Sequence, residues 1–244
     1  MSACVLELRN LTKTLESGFY RFDLFVPKLS LEPARFYGLT GKSGSGKSTM
    51  LDLLAMVSAP TAVEKFEFLS EGGAVDIAKL LKDSNDVAIS DLRLRNFGYV
   101  LQSGGLFPFL TVRGNLELPF RLAGREVSDR ELVELTCPFE MDQHLDKYPH
   151  ALSGGQRQRV SVIRALCISP AIVLADEPTA SVDENMADAI VGELKQLAAS
   201  KGTTVLMVSH DMELVAKFAD EIFSLRPEPV EENHIRSEMS VVGV

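Results

Sequence analysis

A glycine-rich stretch in the first quarter of the chain carries residue types that bind phosphate. In "GKSGSGKST" at residues 41–49, Gly41, Gly46, Lys47 and Ser48 fill the fixed places of the pattern G-x-x-x-x-G-K-[ST]. Glycines let successive backbone amides turn inward as a nest, and a following helix adds its positive N-terminal end. The lysine ammonium reaches the outer phosphates of a nucleotide, and the serine hydroxyl can bind Mg²⁺. The predicted phosphate-binding residues are Gly41, Lys42, Ser43, Gly44, Ser45, Gly46, Lys47, Ser48 and Thr49.

Two adjacent carboxylates follow an apolar run in "AIVLADEP" at residues 171–178. A continuous apolar run of this length is typical of a parallel strand that is buried on both faces. At the end of that strand Asp176 is placed to hold Mg²⁺ through water. Glu177, which points differently, is placed to orient or deprotonate an attacking water.

A second glycine-containing loop, "LSGGQ" at residues 152–156, runs into a helix but contains no lysine. Ser153 is placed to cap that helix. The start of a helix is a suitable place for groups that donate hydrogen bonds to a phosphate. The chain already has a complete phosphate loop at residues 41–49. The sequence therefore raises the question of which phosphate the second loop serves.

The elements that must position these residues alternate between strand and helix. Period-two and continuous apolar patterns predict strands over 4–12, 19–31, 34–40, 96–102, 171–178, 203–209 and 221–225. Helical spacing predicts helices from residue 47, from about 112 to 147, and over 153–169, 184–200 and 211–218. Residues 58–95 are predicted to form a small strand-containing insertion, and residues 227–244 are predicted to form a loosely held tail. The alternation predicts a largely parallel α/β sheet.

The motifs, taken in order, resemble one family. They are "GKSGSGKST", Gln102 in "YVLQ", "LSGGQ", "IVLADEP", "SVD" at 181–183 and "VSHD" at 208–211. Together they resemble the nucleotide-binding domain of ABC (ATP-binding cassette) transporters over residues 3–226. The resemblance implies a P-loop NTPase ABC cassette of the α/β class. Such a cassette has a mostly parallel sheet core, an antiparallel β subdomain and a helical subdomain, here about residues 103–165.

The resemblance implies an ATPase that binds ATP and Mg²⁺ and works as a dimer, here with a second, identical cassette. Two cassettes pack head to tail in this family, so the second loop would cap the ATP that the partner holds. The residues of that loop are Ser153, Gly154, Gly155 and Gln156. No lysine is needed there, because the partner's own phosphate loop brings one.

Further site residues are implied by position in the family motifs. Gln102 resembles the glutamine that contacts Mg²⁺ and the attacking water and links the site to a membrane partner. His210 resembles the switch histidine near the γ-phosphate, so Glu177, His210 and Gln102 are the expected catalytic residues. Ser48, Gln102 and Asp176 are the expected metal ligands. Ser181 and Asp183 resemble the loop that crosses the dimer interface.

The adenine contact departs from the family pattern. The family usually has an aromatic residue near the start of the chain that stacks on adenine, and that place falls on Leu15 here. Phe19 or Tyr20, in the neighbouring loop, could take its role. The sequence leaves these three residues open.

Composition and charge narrow the expected partners. The net charge of −9 argues against a nucleic-acid partner held by phosphate contacts. The start of the chain has no secretory signal pattern, and no apolar run approaches the ~20 residues of a membrane span. The three cysteines, Cys4, Cys137 and Cys167, have no metal-ligand spacing and are expected to be buried. We therefore expect a cytoplasmic subunit, peripheral on the cytoplasmic face of the inner membrane and bound to an integral membrane permease.

The kind of cassette is left open between three alternatives. The segments after Gln102 and before "LSGGQ" look like the lipoprotein-releasing, macrolide-efflux and cell-division group of bacterial cassettes. Importer cassettes for small polar solutes resemble the segment after Gln102 almost as well. A soluble ABC ATPase that remodels nucleic acid or ribosomes usually joins two cassettes or carries coiled-coil insertions. Neither feature is present in the sequence.

Overall fold

The computed structural model describes residues 4–70, 73–180, 182 and 184–242. Its strands are β1 (Leu6–Ser17), β2 (Tyr20–Leu31), β3 (Phe36–Gly41), β4 (Lys65–Ser70), β5 (Gly73–Asp76), β6 (Phe97–Val100), β7 (Ile172–Asp176), β8 (Thr204–Val208), β9 (Glu221–Glu231) and β10 (His234–Val242). Its helices are α1 (Lys47–Leu54), α2 (Ile77–Lys82), α3 (Asp86–Asn96), α4 (Val112–Leu122), α5 (Asp129–Thr136), α6 (Gly154–Leu166), α7 (Glu184–Lys201) and α8 (Met212–Phe218). Short 3-10 turns at Cys137–Phe139, Asp142–His144 and Pro149–Ala151 lie between α5 and α6.

The described strands form one mixed sheet in the order β5-β4-β1-β2-β10-β9-β3-β8-β7-β6. The strands β3, β8, β7 and β6 are parallel, and their carboxyl ends meet at one edge. At the other end of the sheet β1 pairs antiparallel with β2 and β4, and β4 with β5. This arrangement matches the predicted parallel core with an antiparallel β subdomain.

The strand before the Asp-Glu pair is buried on both faces, as its apolar run predicts. In β7, Val173 and Ala175 belong to the hydrophobic core under the later helices, whereas Ile172 and Leu174 belong to the core around α1 and β1. Alternate side chains of a strand point to opposite faces, so both faces must be apolar. The two cores hold this strand rigidly and fix the direction in which its carboxylates emerge.

The segment expected to form a helical subdomain, about residues 103–165, contains α4, α5, the 3-10 turns and nearly all of α6. Leu116 and Phe120 of α4, Leu132 of α5 and Val160 of α6 are fully buried in one shared core. Residues 58–95 hold two strands, β4 and β5, and also the helices α2 and α3. The exact limits of these subdomains remain a prediction.

The expectation of a loosely held tail over 227–244 is corrected by the structure up to Val242. β9 continues to Glu231, and β10 runs back between β9 and β2. Pro227 and Pro229 lie beyond Leu225, where the pairing of β9 with β3 ends, so neither has to donate to that neighbour. Ser237 and Met239 of β10 are buried while Arg236 and Glu238, which alternate with them, are exposed, and this alternation stabilises the added strand. The charges and prolines that suggest disorder therefore belong to an outward face.

Cys167 is buried and Cys4 partly buried, but Cys137 is exposed in its 3-10 turn, so the expected burial of Cys137 is wrong.

Among the described residues no helix is both long enough and apolar enough to span a membrane.

Candidate functional site

The phosphate loop lies between the end of β3 at Gly41 and the start of α1 at Lys47. Gly46 has φ 95°, a left-handed conformation that glycine adopts without strain, and it caps α1. A Cβ atom on Gly41 would lie 2.5 Å from Ser45 Oγ and 2.8 Å from the Leu225 carbonyl oxygen. Glycine is required at Gly41 because the loop curls tightly against β9, and at Gly46 because of its left-handed φ and the Phe22 ring 3.0 Å from a Cβ there.

Lys47 is folded into this loop. Its Nζ donates to the carbonyl oxygens of Gly41 at 2.8 Å and of Lys42 at 3.1 Å, and the residue is only 9% exposed. The ammonium is therefore held at the mouth of the nest before any phosphate arrives. A positioned charge of this kind loses little conformational entropy on binding an anion.

Asp176 lies at the end of β7 and accepts a hydrogen bond from the hydroxyl of Ser48. Burial raises the pKa of Asp176, the hydrogen bond from Ser48 partly offsets that rise, and the carboxylates of Glu177 and Asp52 raise the pKa further. Carboxylate and hydroxyl oxygens are the ligands that Mg²⁺ prefers. Because negative charge is concentrated beside a phosphate loop, the residues fit a divalent cation.

A stability prediction follows from this crowding. Because the pKa of Asp176 is raised in the folded chain, its charge lowers stability at neutral pH, and Asp176→Asn removes that cost. Relief of the burial penalty on the charge, together with repulsion by the neighbouring carboxylates, is worth about 1 kcal/mol at this half-buried site. We expect the melting temperature of the nucleotide-free chain to rise by about 2–4 °C in scanning calorimetry.

The control for this prediction is Asp146→Asn, because the Asp146 side chain is 94% exposed. Surface changes of this kind usually alter stability by less than ~0.5 kcal/mol, so its melting temperature should stay near that of the unchanged chain. A fall in the melting temperature of Asp176→Asn would contradict the argument from charge crowding.

Glu177, Gln102 and His210 come together from the carboxyl ends of three adjacent strands. Gln102 follows β6, Glu177 follows β7 and His210 follows β8. His210 Nδ1 lies 3.2 Å from Glu177 Oε2, and Gln102 Nε2 lies 3.4 Å from the same oxygen. Glu177 has φ 43° and its N–H donates to the Val208 carbonyl oxygen at 3.0 Å. A non-glycine residue in this region is strained by roughly 1–3 kcal/mol, and such strain is concentrated at functional sites.

These residues share one cavity of about 660 Å³. It is lined by Leu15, Phe22, Ser43, Gly44, Gly46, Lys47, Ser48, Thr49, Gln102, Asp176, Glu177 and His210. Of the other predicted loop residues, Gly41, Lys42 and Ser45 build the turn without lining the cavity. A second cavity of about 640 Å³ lies between residues 59–63 and α2, but it contains none of the motif residues. The predicted nucleotide-binding residues that line a cavity therefore all meet at the first one.

The structure separates the three residues left open for the adenine contact. Leu15 lines the cavity, whereas Phe19 and Tyr20 lie at the tip of the β1–β2 hairpin, 91% and 69% exposed, and do not. Phe22, which the sequence analysis missed, pairs with Leu15 across the hairpin and lines the cavity beside it. The signal was available, because a two-residue turn at Gly18 and Phe19 sets the register that joins Leu15 to Phe22.

The position of Leu15 and Phe22 in the cavity leads to a prediction about nucleotide binding. Phe22→Ala removes the largest apolar surface at this end of the cavity and should weaken ATP binding by about tenfold, the effect of losing one aromatic stacking contact. Phe19→Ala, the matched control, should leave the affinity unchanged. Fluorescence titration with a labelled ATP analogue measures both. Equal losses in the two variants would contradict a specific contact between Phe22 and the nucleotide.

The second glycine loop does not reach this cavity. Ser153 is the N-cap of α6 and is exposed, and no residue of 152–156 lines the cavity that holds Lys47 and Glu177. The Ser153 side-chain oxygen accepts from the Gln156 N–H, so the Ser153 hydroxyl proton remains available to an outside acceptor. The loop thus lies outside its own chain's cavity and has a hydroxyl donor to offer. Ser181 and Asp183 lie outside the described residues.

Comparison with known proteins identifies the family. The model of the family described as "ABC transporter" matches residues 25–180. The chain belongs to the ABC transporter family and is an ATP-binding, ATP-hydrolysing cassette. The predicted family and the predicted ATPase activity are confirmed.

Relatives that are named for different transport activities match nearly the whole chain. The uncharacterized ABC transporter ATP-binding protein MJ0796 of Methanocaldococcus jannaschii is 35% identical over 93% of this chain and 95% of its own. The methionine import ATP-binding protein MetN 3 of Oceanobacillus iheyensis is 33% identical over 94% of this chain and 65% of its own. The macrolide export ATP-binding/permease protein MacB of a Shewanella species is 34% identical over 93% of this chain, but the match spans only 34% of MacB.

A solved structure of MJ0796 matches with a TM-score of 0.75 at 31% identity, over 91% of this chain and 94% of that chain. It is a dimer in a post-hydrolysis state bound to ADP and Pi. The match confirms the mixed α/β cassette fold.

Proposed function

We propose that two copies of this chain close around two ATP molecules and couple hydrolysis to a separate integral membrane permease. The observation that carries this proposal is the separation of the two phosphate loops. Lys47 lies inside the cavity, whereas Ser153 is presented outside it at the start of α6. A head-to-tail pair would bring each second loop to the γ-phosphate in the other copy's cavity. The dimeric state of the solved MJ0796 structure supports this arrangement.

In the proposed mechanism Glu177 orients and deprotonates the attacking water. Its Oε2 is held between His210 Nδ1 and Gln102 Nε2, so the other carboxylate oxygen is free to accept a water proton. Lys47 and the loop amides stabilise charge on the transferring phosphate. We propose Ser48, Asp176 and Gln102 as the holders of Mg²⁺, which when bound neutralises charge on the phosphate oxygens.

An apolar groove beside Gln102 supports a permease partner. Leu101, Phe107 and Leu122 line it and are 44%, 40% and 61% exposed. The turn after Gln102 is fixed to the groove because Arg164 donates to the carbonyl oxygens of Gly104 and Gly105, at 3.3 Å and 2.8 Å. An apolar segment of the permease seated there would be linked through Gln102 to Glu177. The chain would then lie on the cytoplasmic face of the inner membrane.

Within transport, we propose the lipoprotein-release or macrolide-efflux type, which the segments after Gln102 and before "LSGGQ" favour. Similarity to MacB supports this choice, although the MetN 3 match leaves an importer as the second candidate. The net charge of −9 disfavours a soluble ATPase that acts on nucleic acid.

A pull-down from native membranes tests the proposal. Tagged Glu177→Gln chain is mixed with detergent-solubilised membranes and Mg·ATP, and bound chains are identified by mass spectrometry. We expect a membrane chain with few spans and a large periplasmic part. A five- or six-span permease would favour the importer, and soluble or ribosomal material alone would contradict the transport function.

A pair of second-site variants ties the captured chain to the groove. Leu122→Glu, added to Glu177→Gln, places a charge in the groove and should abolish capture. Val133→Glu, at an apolar residue of α5 that is 44% exposed and outside the groove, should not. Equal capture by both variants would contradict the groove as the permease site.

A further inference from the structure

The glutamine of the second loop is held from two sides. Gln156 Oε1 accepts from the Ser153 N–H at 2.9 Å, and Ser153 Oγ accepts from the Gln156 N–H at 3.2 Å, so the two residues form a capping box. The third contact is to a histidine outside the motif, because Gln156 Nε2 lies 3.1 Å from His144 Nε2. The side-chain amide therefore links His144 to the backbone of Ser153.

The capping box dictates which atom donates in the third contact. Since Gln156 Oε1 already accepts from Ser153, the amide group facing His144 is the NH₂, which can only donate. His144 Nε2 must then accept, so the ring is neutral with its proton on Nδ1. The His144 Nδ1 atom is buried and has no hydrogen-bond partner among the described residues. Turning the amide over would place two donors face to face at Ser153 and break the cap.

The backbone around His144 is fixed. Its N–H donates to the Met141 carbonyl oxygen at 3.0 Å, and its carbonyl oxygen accepts from the Lys147 N–H at 3.0 Å. Met141 and Leu145, on either side in the chain, are buried in the helical core. The next turn is also tied to the start of α4, where the Arg113 N–H donates to the Leu145 carbonyl oxygen at 2.8 Å. The ring is thus presented from a packed scaffold.

We propose that His144 is a positioning residue for the second glycine loop. Its Nε2 holds the Gln156 amide in the one orientation that caps Ser153, and the cap fixes the Ser153 hydroxyl and the Gly154 and Gly155 amides toward the phosphate of ATP in the second copy. The proposal rests on the proposed head-to-tail dimer. His144 acts through Gln156 and does not itself contact ATP.

The local part of the proposal is tested in the monomer, where the dimer plays no role. His144→Phe keeps a ring but loses the acceptor, whereas His144→Gln keeps an acceptor oxygen. We expect amide hydrogen exchange at Ser153 to become roughly tenfold faster in His144→Phe, the effect of losing one hydrogen bond, and to stay within about twofold in His144→Gln. Nitrogen-15 NMR of the unchanged chain should show the proton on Nδ1. A proton on Nε2, or equal exchange rates in all three chains, would overturn the proposal.

The functional part is read in the ATP-bound dimer. In the Glu177→Gln background His144→Phe should weaken ATP-dependent dimerisation about tenfold, while nucleotide affinity of the monomer stays unchanged. The effect should vanish when Gln156 is already alanine, because the two residues act as one unit. The matched control is His150→Phe, since His150 stacks on Tyr148 near the same loop but makes no contact with Gln156 among those observed. Its dimerisation should be unchanged.

The outcomes separate the two proposals. If Glu177→Gln alone does not dimerise with ATP, the proposed function fails, and the exchange data still decide whether His144 holds the cap. If it dimerises, and His144→Phe and His144→Gln behave alike, the positioning role is overturned. A loss of monomer nucleotide affinity in His144→Phe would also overturn it, because a general packing defect would then explain the effect.

Discussion

Glu177→Gln is expected to lower ATP turnover by at least ~100-fold, within the range that a positioned general base contributes. The amide keeps the size and shape of the side chain but cannot take a proton from water. His210 and Gln102 both approach Glu177 Oε2, and no other carboxylate in the described part of the chain shares those two contacts. ATP binding should survive, because the phosphate loop is unchanged. The variant should therefore accumulate as an ATP-bound dimer.

Phosphate release measures turnover, and size-exclusion chromatography with ATP measures the dimer. Glu213→Gln is the matched control, since Glu213 is an exposed carboxylate only three residues beyond His210. Its turnover should equal that of the unchanged chain. Retention of more than about a tenth of the activity in Glu177→Gln would remove Glu177 from the role of general base.

Lys47→Ala is expected to weaken ATP binding by roughly 100-fold or more, because two charge-assisted hydrogen bonds of about 1.5 kcal/mol each would be lost. The Lys47 ammonium already donates to two loop carbonyls, Gly41 and Lys42. The alanine variant thus loses both the charge and the link that closes the loop. Turnover should fall below detection at millimolar ATP.

Equilibrium binding of a fluorescent ATP analogue checks this expectation, and far-UV circular dichroism checks that the fold is intact. Lys28→Ala serves as the control, because Lys28 is an exposed lysine on β2 outside the cavity. It tests whether loss of any one positive charge from an acidic protein weakens ATP binding. An affinity loss in Lys28→Ala equal to that of Lys47→Ala would show a general electrostatic effect and contradict a specific role for Lys47.

The parts of the site that the sequence predicted are contiguous motifs. Gly41 to Thr49 span the end of a strand, a loop and the first turn of a helix, and both the glycine conformation and the helix start are local properties of those residues. The strand before Asp176 was also predictable, because burial on both faces requires an unbroken apolar run. The order of the motifs along the chain was sufficient to indicate the family.

The parts that the sequence did not predict depend on pairing between distant segments. Phe22 joins Leu15 at the cavity because of the hairpin register, and Asp52 of α1 raises the pKa of Asp176. Helical spacing says which face Asp52 occupies but not which strand end lies opposite. The contact between His144 and Gln156 likewise arises from the folding of the 3-10 turns against α6.

By itself, the sequence of this protein determined its family and its ATPase chemistry, and it predicted the motif residues expected to carry that chemistry, because these depend on short-range spacing. Only the tertiary structure decided that Leu15 and Phe22 line the same cavity as Lys47, that residues up to Val242 add a strand to the sheet, and that Ser153 lies outside its own chain's cavity. Each of these outcomes depends on which surfaces pack together across long separations in the chain. That choice is set by the summed burial and hydrogen bonding of the whole domain, which no local pattern contains.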